Sequence, residues 1–495
     1  MGVMRFLIHP ADVLRDWPEA HRAYLSGTDH SVWPTRVELD GQILGCRRQN
    51  SDSSKLNLVW PVAGFGKPLV TTASLPEREA PYLLPVELAR GKIVQIRNQL
   101  AVWQEAGLSI PASFQEVHRA AQHCFARAAS CQDSPEAAAG EAQESLRYAF
   151  HASELLMTAY TRQRIEQRQR QYPRLPTALG CSLGDRASFG DWGEPFLEAF
   201  NSAGIPLEWR VIEPVEGDYH WEVYDAQLAW CEKHHLVPRG GPFLDLGAEG
   251  LPKWLYQWEQ DYWNLQSFVC DFVETSISRY LGRIRNWEVV ARANTGGGIA
   301  LSEEQRLRLA AKAIEVARHA DPESQLFVRV DQPWGEYQAR GQHKLSPLQF
   351  ADALVRADLG LNGINLEIAF GYTPGGSTTR DLLDISRLID LWSSLSVPLQ
   401  VTLAAPAGRG SDLQQTTDLE VDCNTSRIPW SEELQAAWAD AIVQLLMSKP
   451  QVTSIFWTHF SDRDPHRFPH AGLVRPHNQP RPALERLVRL HEQYW

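Results

Sequence analysis

Two carboxylates and one arginine in the middle of the sequence have the residue types that could carry chemistry. Asp245, Glu367 and Arg292 each end or directly follow a largely apolar stretch. Paired carboxyl groups are common carriers of general acid–base catalysis, and a neighbouring guanidinium lowers the pKa of a carboxyl group. The same three residues could instead form a structural ion network with Arg329, and we favour this second interpretation.

A second polar cluster lies near the C-terminal end of the sequence. It contains four histidines and two aspartates: His459, Asp462, Asp464, His466, His470 and His477. Both residue types bind metals, but the spacing here is rich in proline and arginine and includes neither a helical pattern nor a cysteine partner. We therefore interpret the segment as a polar loop, and we expect neither a metal nor another cofactor.

The elements that must position these side chains alternate in type along the C-terminal two thirds of the chain. Trp287–Ala291 is typical of a buried strand that ends in a polar loop, and an amphipathic helix precedes it over about 267–280. From residue 175 to residue 495, predicted strands alternate with predicted helices. This length and rhythm predict an α/β fold of the (β/α)₈ TIM-barrel type.

Two smaller regions precede the predicted barrel. Short alternating stretches separated by proline and glycine predict a small β-sandwich-like region over 1–85. Three helices are predicted over 86–172, and the second begins at Ser113 with a capping-box pattern. We therefore predict a β-rich N-terminal domain (1–85), a helical segment (86–172) and a barrel (175–495).

Composition and charge restrict the partners. Of 495 residues, 43% are hydrophobic, and the formal net charge of −12 argues against nucleic acid. No apolar run approaches the roughly 20 residues that span a bilayer, and the first twelve residues lack a signal-peptide core. Seven cysteines, the last at Cys423, form no CxxC pair, which predicts reduced thiols in a cytoplasmic protein. The long third helix is compatible with homo-oligomers formed through the N-terminal helices.

Short motifs follow one another in a recognisable order along the predicted barrel. They are Trp209 with Glu213-Pro214, then Pro252 with Trp254, Trp287-Glu288-Val289-Val290, Ala320-Asp321-Pro322, Asn362-Gly363-Ile364 and Ile455-Phe456-Trp457. In this order they resemble the strand motifs of glycoside hydrolase family 10, the xylanase family. Each match is weak alone, but together they are collinear over about residues 175–495.

The resemblance implies a retaining glycosidase site with one glutamate after the fourth barrel strand and one on the seventh. In this sequence the corresponding positions are Arg292 and Leu403. Arginine stays charged near neutral pH and leucine has no nucleophilic group, so neither performs the role of a glutamate. Positions that hold sugar in the family also differ, including Gly241 and Ala369. The barrel therefore resembles a family 10 enzyme without its standard catalytic pair.

The same resemblance assigns candidate site residues. The predicted ligand contacts are Trp209, Trp254, Arg292, Trp457, His459 and Asp462. Asp245 and Glu367 are expected near the ends of the third and sixth strands, three strands apart, as the standard pair is. They are the candidate catalytic residues of a relocated pair.

Three functions remain open on these grounds. The leading hypothesis is a non-hydrolytic protein that binds a saccharide or another ligand at the barrel mouth. The first alternative is a glycoside hydrolase that acts on a xylan-like polysaccharide through Asp245 and Glu367. The second alternative is a structural or assembly protein, since a fold does not determine a function.

Overall fold

The N-terminal strands form two four-stranded sheets. The computed structural model describes residues 2–341, 343–422 and 429–495, so Cys423 lies outside the described residues. The strands are β1 (Gly2–Leu7), β2 (Tyr24–Ser26), β3 (Val32–Trp33), β4 (Arg36–Asp40), β5 (Ile43–Arg48), β6 (Lys55–Val59), β7 (Leu69–Thr71) and β8 (Tyr82–Leu83). The sheet orders are β4-β5-β1-β8 and β3-β2-β6-β7. Phe6 from the first sheet and Leu56 from the second share one hydrophobic cluster, as in a β-sandwich.

Three helices follow and connect these sheets to the rest of the chain. They are α1 (Leu84–Glu105), α2 (Ala112–Ser130) and α3 (Pro135–Gln171). Along α3, Phe150 belongs to the hydrophobic cluster of the N-terminal sheets, whereas Leu156 belongs to the large cluster that contains the C-terminal elements. The long helix therefore packs on both parts of the molecule.

The predicted capping box at Ser113 is wrong. Helix α2 begins one residue earlier, at Ala112, and the residue in the N-cap position is Pro111, whose extended backbone has φ −63° and ψ 143°. Ser113 therefore lies inside the first turn with helical backbone geometry, where its hydroxyl cannot accept the N-cap hydrogen bond.

Eleven further strands are present in the described part of the chain after residue 172. They are β9 (Ala178–Ser182), β10 (Ser202–Ile205), β11 (Val237–Gly240), β12 (Leu244–Asp245), β13 (Asn286–Ala291), β14 (Gln325–Asp331), β15 (Gly363–Ala369), β16 (Tyr372–Thr373), β17 (Leu399–Ala404), β18 (Glu420–Val421) and β19 (Val452–Trp457). The helices between and after them are α4 (Gly193–Ala199), α5 (Trp209–Ile212), α6 (Glu222–Lys233), α7 (Tyr262–Arg279), α8 (Glu303–Ala320), α9 (Pro347–Arg356), α10 (Leu382–Trp392), α11 (Glu432–Met447) and α12 (Pro482–Tyr494). None of the described helices is long and apolar enough to cross a bilayer.

Eight of these strands close into a parallel barrel. The sheet runs β11-β10-β9-β19-β17-β15-β14-β13, and β13 pairs back with β11 through Arg239 opposite Asn286. The short strand β12 continues the third barrel strand alongside β13. The predicted fold class, a (β/α)₈ barrel preceded by a β-sandwich-like region and helices, is confirmed. The division of the chain into domains at residues 85 and 172 remains a prediction.

The register brings the carboxyl ends of the strands to one rim of the barrel. Asp245 is level with Ala291 at the end of β13, and Glu367 is level with Asp331 and Thr402 on its two neighbouring strands. In barrels of this kind the carboxyl ends of the strands and the loops that follow them form the functional face. The rim therefore carries the side chains that the sequence singled out.

A buried ion pair joins the N-terminal helices to the barrel. The ammonium of Lys92 on α1 contacts the carboxylate of Asp381, which also accepts a 2.6 Å hydrogen bond from the Ser153 hydroxyl on α3. Asp381 in turn caps the N-terminus of α10 by accepting from the backbone N–H of Asp384. Burial acts to raise the pKa of Asp381, but Lys92 and Ser153 outweigh it and hold that pKa below its usual value.

We expect Lys92→Met to lower the free energy of unfolding by about 3 kcal/mol, because the buried Asp381 carboxylate loses its countercharge. Urea denaturation at pH 7 measures the change. The matched control is Arg97→Met on an exposed position of the same helix, for which we expect a change of about 0.5 kcal/mol or less. Equal effects of the two substitutions would contradict a role for Lys92 in holding α1 against the barrel.

Candidate functional site

Three charged side chains meet at the carboxyl rim of the barrel. The guanidinium of Arg292 makes two hydrogen bonds to Glu367, from Nη2 to Oε2 at 2.6 Å and from Nε to Oε1 at 3.3 Å. Its Nη1 donates to Oδ2 of Asp245. The two candidate carboxylates therefore lie on either side of a single guanidinium group, as the ion-network interpretation predicts.

The backbone at Arg292 is adapted to this position. Its φ is +55°, in the left-handed region that non-glycine residues rarely adopt, at a cost of about 1–3 kcal/mol. Its N–H donates to the Arg329 carbonyl, and its carbonyl accepts from Gly296. These contacts turn the chain at the end of β13, and the side chain makes its ion pairs inside the rim. The ion pairs of the side chain offset the free-energy cost of this backbone conformation.

The charges around Glu367 keep it ionised. Burial alone raises the pKa of this carboxyl group, but the guanidiniums of Arg292, Arg329 and Arg467 outweigh burial and hold the pKa below its usual value. Burial opposes the charge on Arg292, but Asp245 and Glu367 outweigh it and raise the pKa of Arg292 above its usual value. Near neutral pH, Glu367 therefore has no proton to give as a general acid.

A second charged layer lies below the first, deeper in the barrel. Arg329 bridges the layers, with nitrogen-to-oxygen distances of 3.2 Å to Glu367 and 2.6 Å to Glu288. Glu288 is fully buried and also accepts from the side-chain amide of Asn365 at 2.5 Å. Arg239 lies 3.8 Å from Glu288, and burial lowers the pKa of Arg239 to about 10. The upper part of the barrel interior is thus filled by paired charges.

Asp331 and Arg467 complete the cluster. Burial and the negative charge of Glu367 raise the pKa of Asp331, whose carboxylate accepts a 2.8 Å hydrogen bond from the Thr295 hydroxyl. Burial and the positive charge of Arg292 lower the pKa of Arg467. Both shifts show that Asp331 and Arg467 lie within the electrostatic reach of the Arg292 cluster.

Little open space remains at the barrel mouth. The cavity there has a volume of about 130 Å³ and is lined by Asp245 and Arg292 but not by Glu367, which is 2% exposed. Small-molecule sites usually measure about 300–1,000 Å³. The cavity therefore has room for a few water molecules but not for a disaccharide, and Glu367 is out of reach of its contents.

The seventh barrel strand differs from the sequence-based alignment. The Thr402 hydroxyl exchanges hydrogen bonds with Asn365 inside the barrel, and neighbouring side chains on a strand point to opposite faces. Leu403 therefore points outward, into the large hydrophobic cluster. The positions of β17 that face the interior at this level are Thr402 and Ala404, and neither carries a carboxyl group.

The third strand has no space for a side chain at Gly241. Its φ is +106°, and a Cβ atom built there would lie 2.1 Å from the Glu288 carbonyl oxygen. Only glycine fits this close approach of two backbones. A side chain that holds sugar therefore cannot be introduced at this position without moving the backbone.

Two of the predicted aromatic ligand contacts lie away from the mouth. Trp209 on α5 is 1% exposed and stacks on Phe272 of α7 with ring centroids 4.7 Å apart. Trp254 packs edge-on against Trp209 at 6.0 Å and donates its indole N–H to the Glu213 carbonyl. Neither tryptophan lines the mouth cavity. Their role as ligand contacts remains a prediction; in this conformation the ring of Trp209 is buried and that of Trp254 is partly buried.

The remaining predicted contacts lie closer to the cavity. Trp457 and His459 line it, whereas Asp462 lies behind His459 and binds its Nε2 at 2.9 Å. The indole N–H of Trp457 donates to the Ala471 carbonyl. Of the six predicted ligand contacts, Arg292, Trp457 and His459 therefore share one small cavity.

The C-terminal histidine cluster is a network of hydrogen bonds and ion pairs. His466 binds Asp412 at 3.0 Å, and Arg481 donates to Asp462 at 2.6 Å. Burial opposes ionisation of Asp412, but the hydrogen bonds from His466 and from the backbone N–H groups of His470 and Gln414 together outweigh burial and lower the pKa of Asp412 to about 2. Burial and the neighbouring His466 lower the pKa of His459 to about 4, which leaves that ring neutral at pH 7.

Some of these atoms are close enough to hold a metal. The ligand atoms of His459, Asp462 and His466 lie within 4.8 Å of one another. The two imidazoles are stacked face to face with centroids 4.4 Å apart, and the guanidinium of Arg481 already occupies one oxygen of Asp462. A divalent cation would have to displace this arrangement. His477 is exposed and lies outside the cluster.

Sequence reasoning identified the upper charged layer but missed the lower one. Glu288, Arg239, Arg467 and Asp412 were not singled out. One signal for the lower layer was available in the sequence: Glu288 is a charged residue inside the otherwise apolar strand Trp287–Ala291. An ionisable group is buried at such a position only when it is paired, so Glu288 predicts a basic partner inside the barrel. Arg467 and Asp412 lie on long loops, where no periodic pattern predicts a partner.

Comparison with known proteins identifies the class of barrel. Residues 202–338 match the family described as Glycosyl hydrolase family 10. Among curated proteins, Endo-1,4-beta-xylanase 2 of Claviceps purpurea is 28% identical over 129 residues, 25% of this chain and 38% of that protein. Endo-1,4-beta-xylanase B of Thermotoga neapolitana is 23% identical over 167 residues, 31% of this chain and 48% of that protein. The chain thus spans less than half the length of these relatives.

Solved xylanase structures also superpose on part of this chain. Native xylanase 10B from Thermotoga maritima superposes with a TM-score of 0.49 at 17% identity, covering 66% of this chain and 98% of that one. The closed ring of eight parallel strands itself defines a (β/α)₈ barrel. Part of this chain is a glycoside hydrolase family 10 xylanase-like barrel.

We expect Arg292→Met to lower the free energy of unfolding by about 3–5 kcal/mol, because Glu367 and Asp245 then lose a shared countercharge in a buried site. Chemical denaturation at pH 7 provides the measurement. Arg308→Met is the matched control, since Arg308 forms an exposed ion pair with Glu304 on α8. A loss for Arg292→Met as small as that for the control would show that the rim charges are solvated.

The depressed pKa of Glu367 predicts how stability changes with pH. A carboxylate bound more tightly in the folded state stabilises the protein fully above its unfolded pKa of about 4.3, and this contribution is lost as the pH falls through the lower folded value. We therefore expect the stability difference between wild type and Glu367→Gln to be constant from pH 7 to about pH 5 and to shrink below about pH 4.

Urea denaturation at a series of pH values measures this difference. Glu304→Gln, an exposed substitution on α8, controls for the general effect of removing one carboxylate. A difference between wild type and Glu367→Gln that stays constant or grows on acidification would contradict the assignment of Glu367 as a buried, ionised partner of Arg292.

Proposed function

We propose that this protein is a non-hydrolytic member of the family 10-like barrels and binds a saccharide or another ligand without cleaving it. The observation that carries the proposal is the guanidinium of Arg292 between Glu367 and Asp245. A retaining glycosidase needs the anomeric carbon between two carboxyl groups about 5–5.5 Å apart. In this chain that space contains a permanent cation.

Two further observations support the absence of hydrolysis. The interior positions at the end of β17 are Thr402 and Ala404, and a threonine or alanine side chain cannot replace the family's nucleophilic carboxylate. The open space at the rim is about 130 Å³, too small for the sugar units on both sides of a scissile bond. The names of the relatives motivate a saccharide as the first ligand to test.

Other properties of the protein belong to the same proposal. We propose that it needs no metal or other cofactor and that it acts in the cytoplasm. Self-association would use the N-terminal helices, where α2 has an exposed face opposite Phe114 and Ala121. A purely structural role is the competing function, and it predicts that no saccharide binds.

The test is an assay of the full chain on xylan, cellulose and an aryl β-xyloside, with product detection by anion-exchange chromatography. We expect wild type, Glu367→Gln and Asp245→Asn all to release no more sugar than a mock purification from cells without the gene. Calorimetric titration with xylotriose and cellotriose on the same preparations tests for binding, which would take place outside the mouth cavity because that cavity has no room for a disaccharide.

The controls distinguish the three functions. Turnover by wild type that is lost in Glu367→Gln or Asp245→Asn, but retained in the exposed variant Glu304→Gln, would overturn the proposal and establish a relocated catalytic pair. Absence of turnover together with binding of a saccharide supports the proposal. Absence of both, for these ligands and for a wider glycan panel, would contradict the ligand-binding function and favour a structural role.

A further inference from the structure

A large cavity lies on the side of the barrel. It has a volume of about 930 Å³, within the range of about 300–1,000 Å³ that is usual for small-molecule sites. One wall is the β2-β3-β6-β7 sheet, the second comprises the ends of α1 and α3, and the floor is the barrel helix α10 with the segment 449–451. We call this space the lateral cleft.

The lateral cleft and the mouth cavity are separate sites. None of the residues that the structure describes lines both of them. The mouth lies at the carboxyl rim of the strands, whereas the lateral cleft extends along the outer side of α10. It exists only because the N-terminal sheets and helices pack against the barrel, so it is a feature of the complete chain.

The lateral cleft is positively charged although the protein is acidic. Six lysine and arginine side chains line it, but only four aspartate and glutamate side chains do, in a chain whose formal net charge is −12. Among the described residues, no carboxylate lies within 4.0 Å of the cationic groups of Lys55, Arg164 or Arg170. A concave surface of one sign focuses its field and attracts ions of the opposite sign.

Three basic side chains, Lys55, Arg387 and His30, line the end of the cleft that the sheet forms. Burial lowers the pKa of Lys55, and the positive charge of Arg387 lowers it further. Burial and the positive charges of Lys55 and Arg387 also lower the pKa of His30. Asp384, 3.7 Å from Arg387, and Asp29 only partly compensate. A bound anion at this end would relieve the repulsion among the basic groups.

The remaining lining favours hydrogen bonds over aromatic stacking. Asn57 donates to the Ser26 hydroxyl at 2.8 Å and accepts from the Thr71 hydroxyl at 2.8 Å, which holds three polar side chains in place along one wall. Trp103 is not free to stack on a ligand, because its ring lies face to face with Tyr160 at 3.9 Å. Polar groups fixed in advance lower the entropy cost of binding a hydroxyl-rich ligand.

The aromatic ring on the other side of the cleft is covered as well. The guanidinium of Arg380 lies over Trp334 at 4.4 Å from the ring centroid. Nearby, Gln338 is 5% exposed, and its Oε1 atom has no hydrogen-bond partner among the described residues. The walls therefore offer hydrogen-bonding groups and positive charge, and they do not offer a free aromatic face for a nucleobase.

We propose that the lateral cleft is a binding site for an elongated, hydroxyl-rich anion, with its acidic group beside Lys55 and Arg387. An acidic oligosaccharide and a phosphorylated disaccharide share this chemistry. The inference goes beyond the proposed function, because binding in the lateral cleft does not depend on whether the barrel mouth hydrolyses a glycan.

The test is calorimetric titration of the full chain with three probes: trigalacturonate, trehalose 6-phosphate and neutral maltotriose. We expect at least one of the two anions to bind and maltotriose to bind about tenfold more weakly or not at all, because a charge-assisted hydrogen bond is worth about one factor of ten or more. The anion that binds identifies the source of the acidic group. We also expect the affinity to fall as salt is added.

Variants assign the binding to the cleft. We expect Lys55→Met and Arg387→Met each to weaken the binding of the anion about tenfold, whereas Lys312→Met, a control on α8 whose side chain is partly exposed and does not line the cleft, leaves it unchanged. Circular dichroism and thermal melting check that each variant is folded. Arg164→Gln on the opposite wall provides the same test if Lys55→Met does not fold.

Three results would overturn the proposal. They are binding of neither anion, equal binding of maltotriose, and an anion affinity unchanged in folded Lys55→Met and Arg387→Met. The xylan assay on the same variants keeps the two proposals distinct. Turnover that persists in Lys55→Met would contradict the non-hydrolytic function but leave the cleft assignment intact.

Discussion

The arrangement of charges inside the barrel depends on one guanidinium group, that of Arg292, held between Glu367 and Asp245. An unpaired charge in such a place would cost several kcal/mol. Each buried acid is therefore matched by an arginine. Among the described residues four arginines surround four acids: Arg239, Arg292, Arg329 and Arg467 with Asp245, Glu288, Asp331 and Glu367. Since Arg329 joins the two charged layers, removal of one charged side chain weakens the ion pairs of the others.

This network explains why the carboxyl rim does not form an open cleft. The side chains that would otherwise line a substrate site are engaged with one another, and Gly241 leaves no room for an additional side chain on the third strand. Open space appears instead on the flank of the barrel, where the N-terminal sheets and helices pack against α10. The basic groups of that space have fewer partners than those of the rim. A ligand therefore finds free hydrogen-bonding and charged groups on the flank more readily than at the mouth.

Much of the fold could be predicted from the sequence, because its signals are local and periodic. The strand-helix alternation after residue 175 and the apolar run Trp287–Ala291 indicated the barrel. The two acids and Arg292 were recognised as either a relocated pair or an ion network, and their contacts agree with the network. The orientation of Leu403 was not predictable, since a shift of one residue along a strand reverses the face on which a side chain lies.

Other features depend on contacts between distant parts of the chain. Lys92 and Asp381 are 289 positions apart, and no local pattern connects them. The lateral cleft is likewise formed by three separate segments, so its charge could not be derived from any one of them. The capping box at Ser113 failed for a different reason, because Pro111 already occupies the N-cap position. The motif was present, but the helix begins earlier.

The central claim is that Arg292 is locked in the barrel interior by its carboxylate partners. Proton exchange at the arginine Nε–H groups, followed by NMR on protein labelled with ¹⁵N in arginine, tests it most directly. The Arg292 signal is assigned by its disappearance in Arg292→Lys. A buried, hydrogen-bonded N–H exchanges slowly, so the account predicts that the Arg292 Nε–H exchanges at least about tenfold more slowly than that of the exposed Arg308. Exchange of the two groups at the same rate would contradict the account, because it would place the Arg292 guanidinium in an open, water-filled mouth.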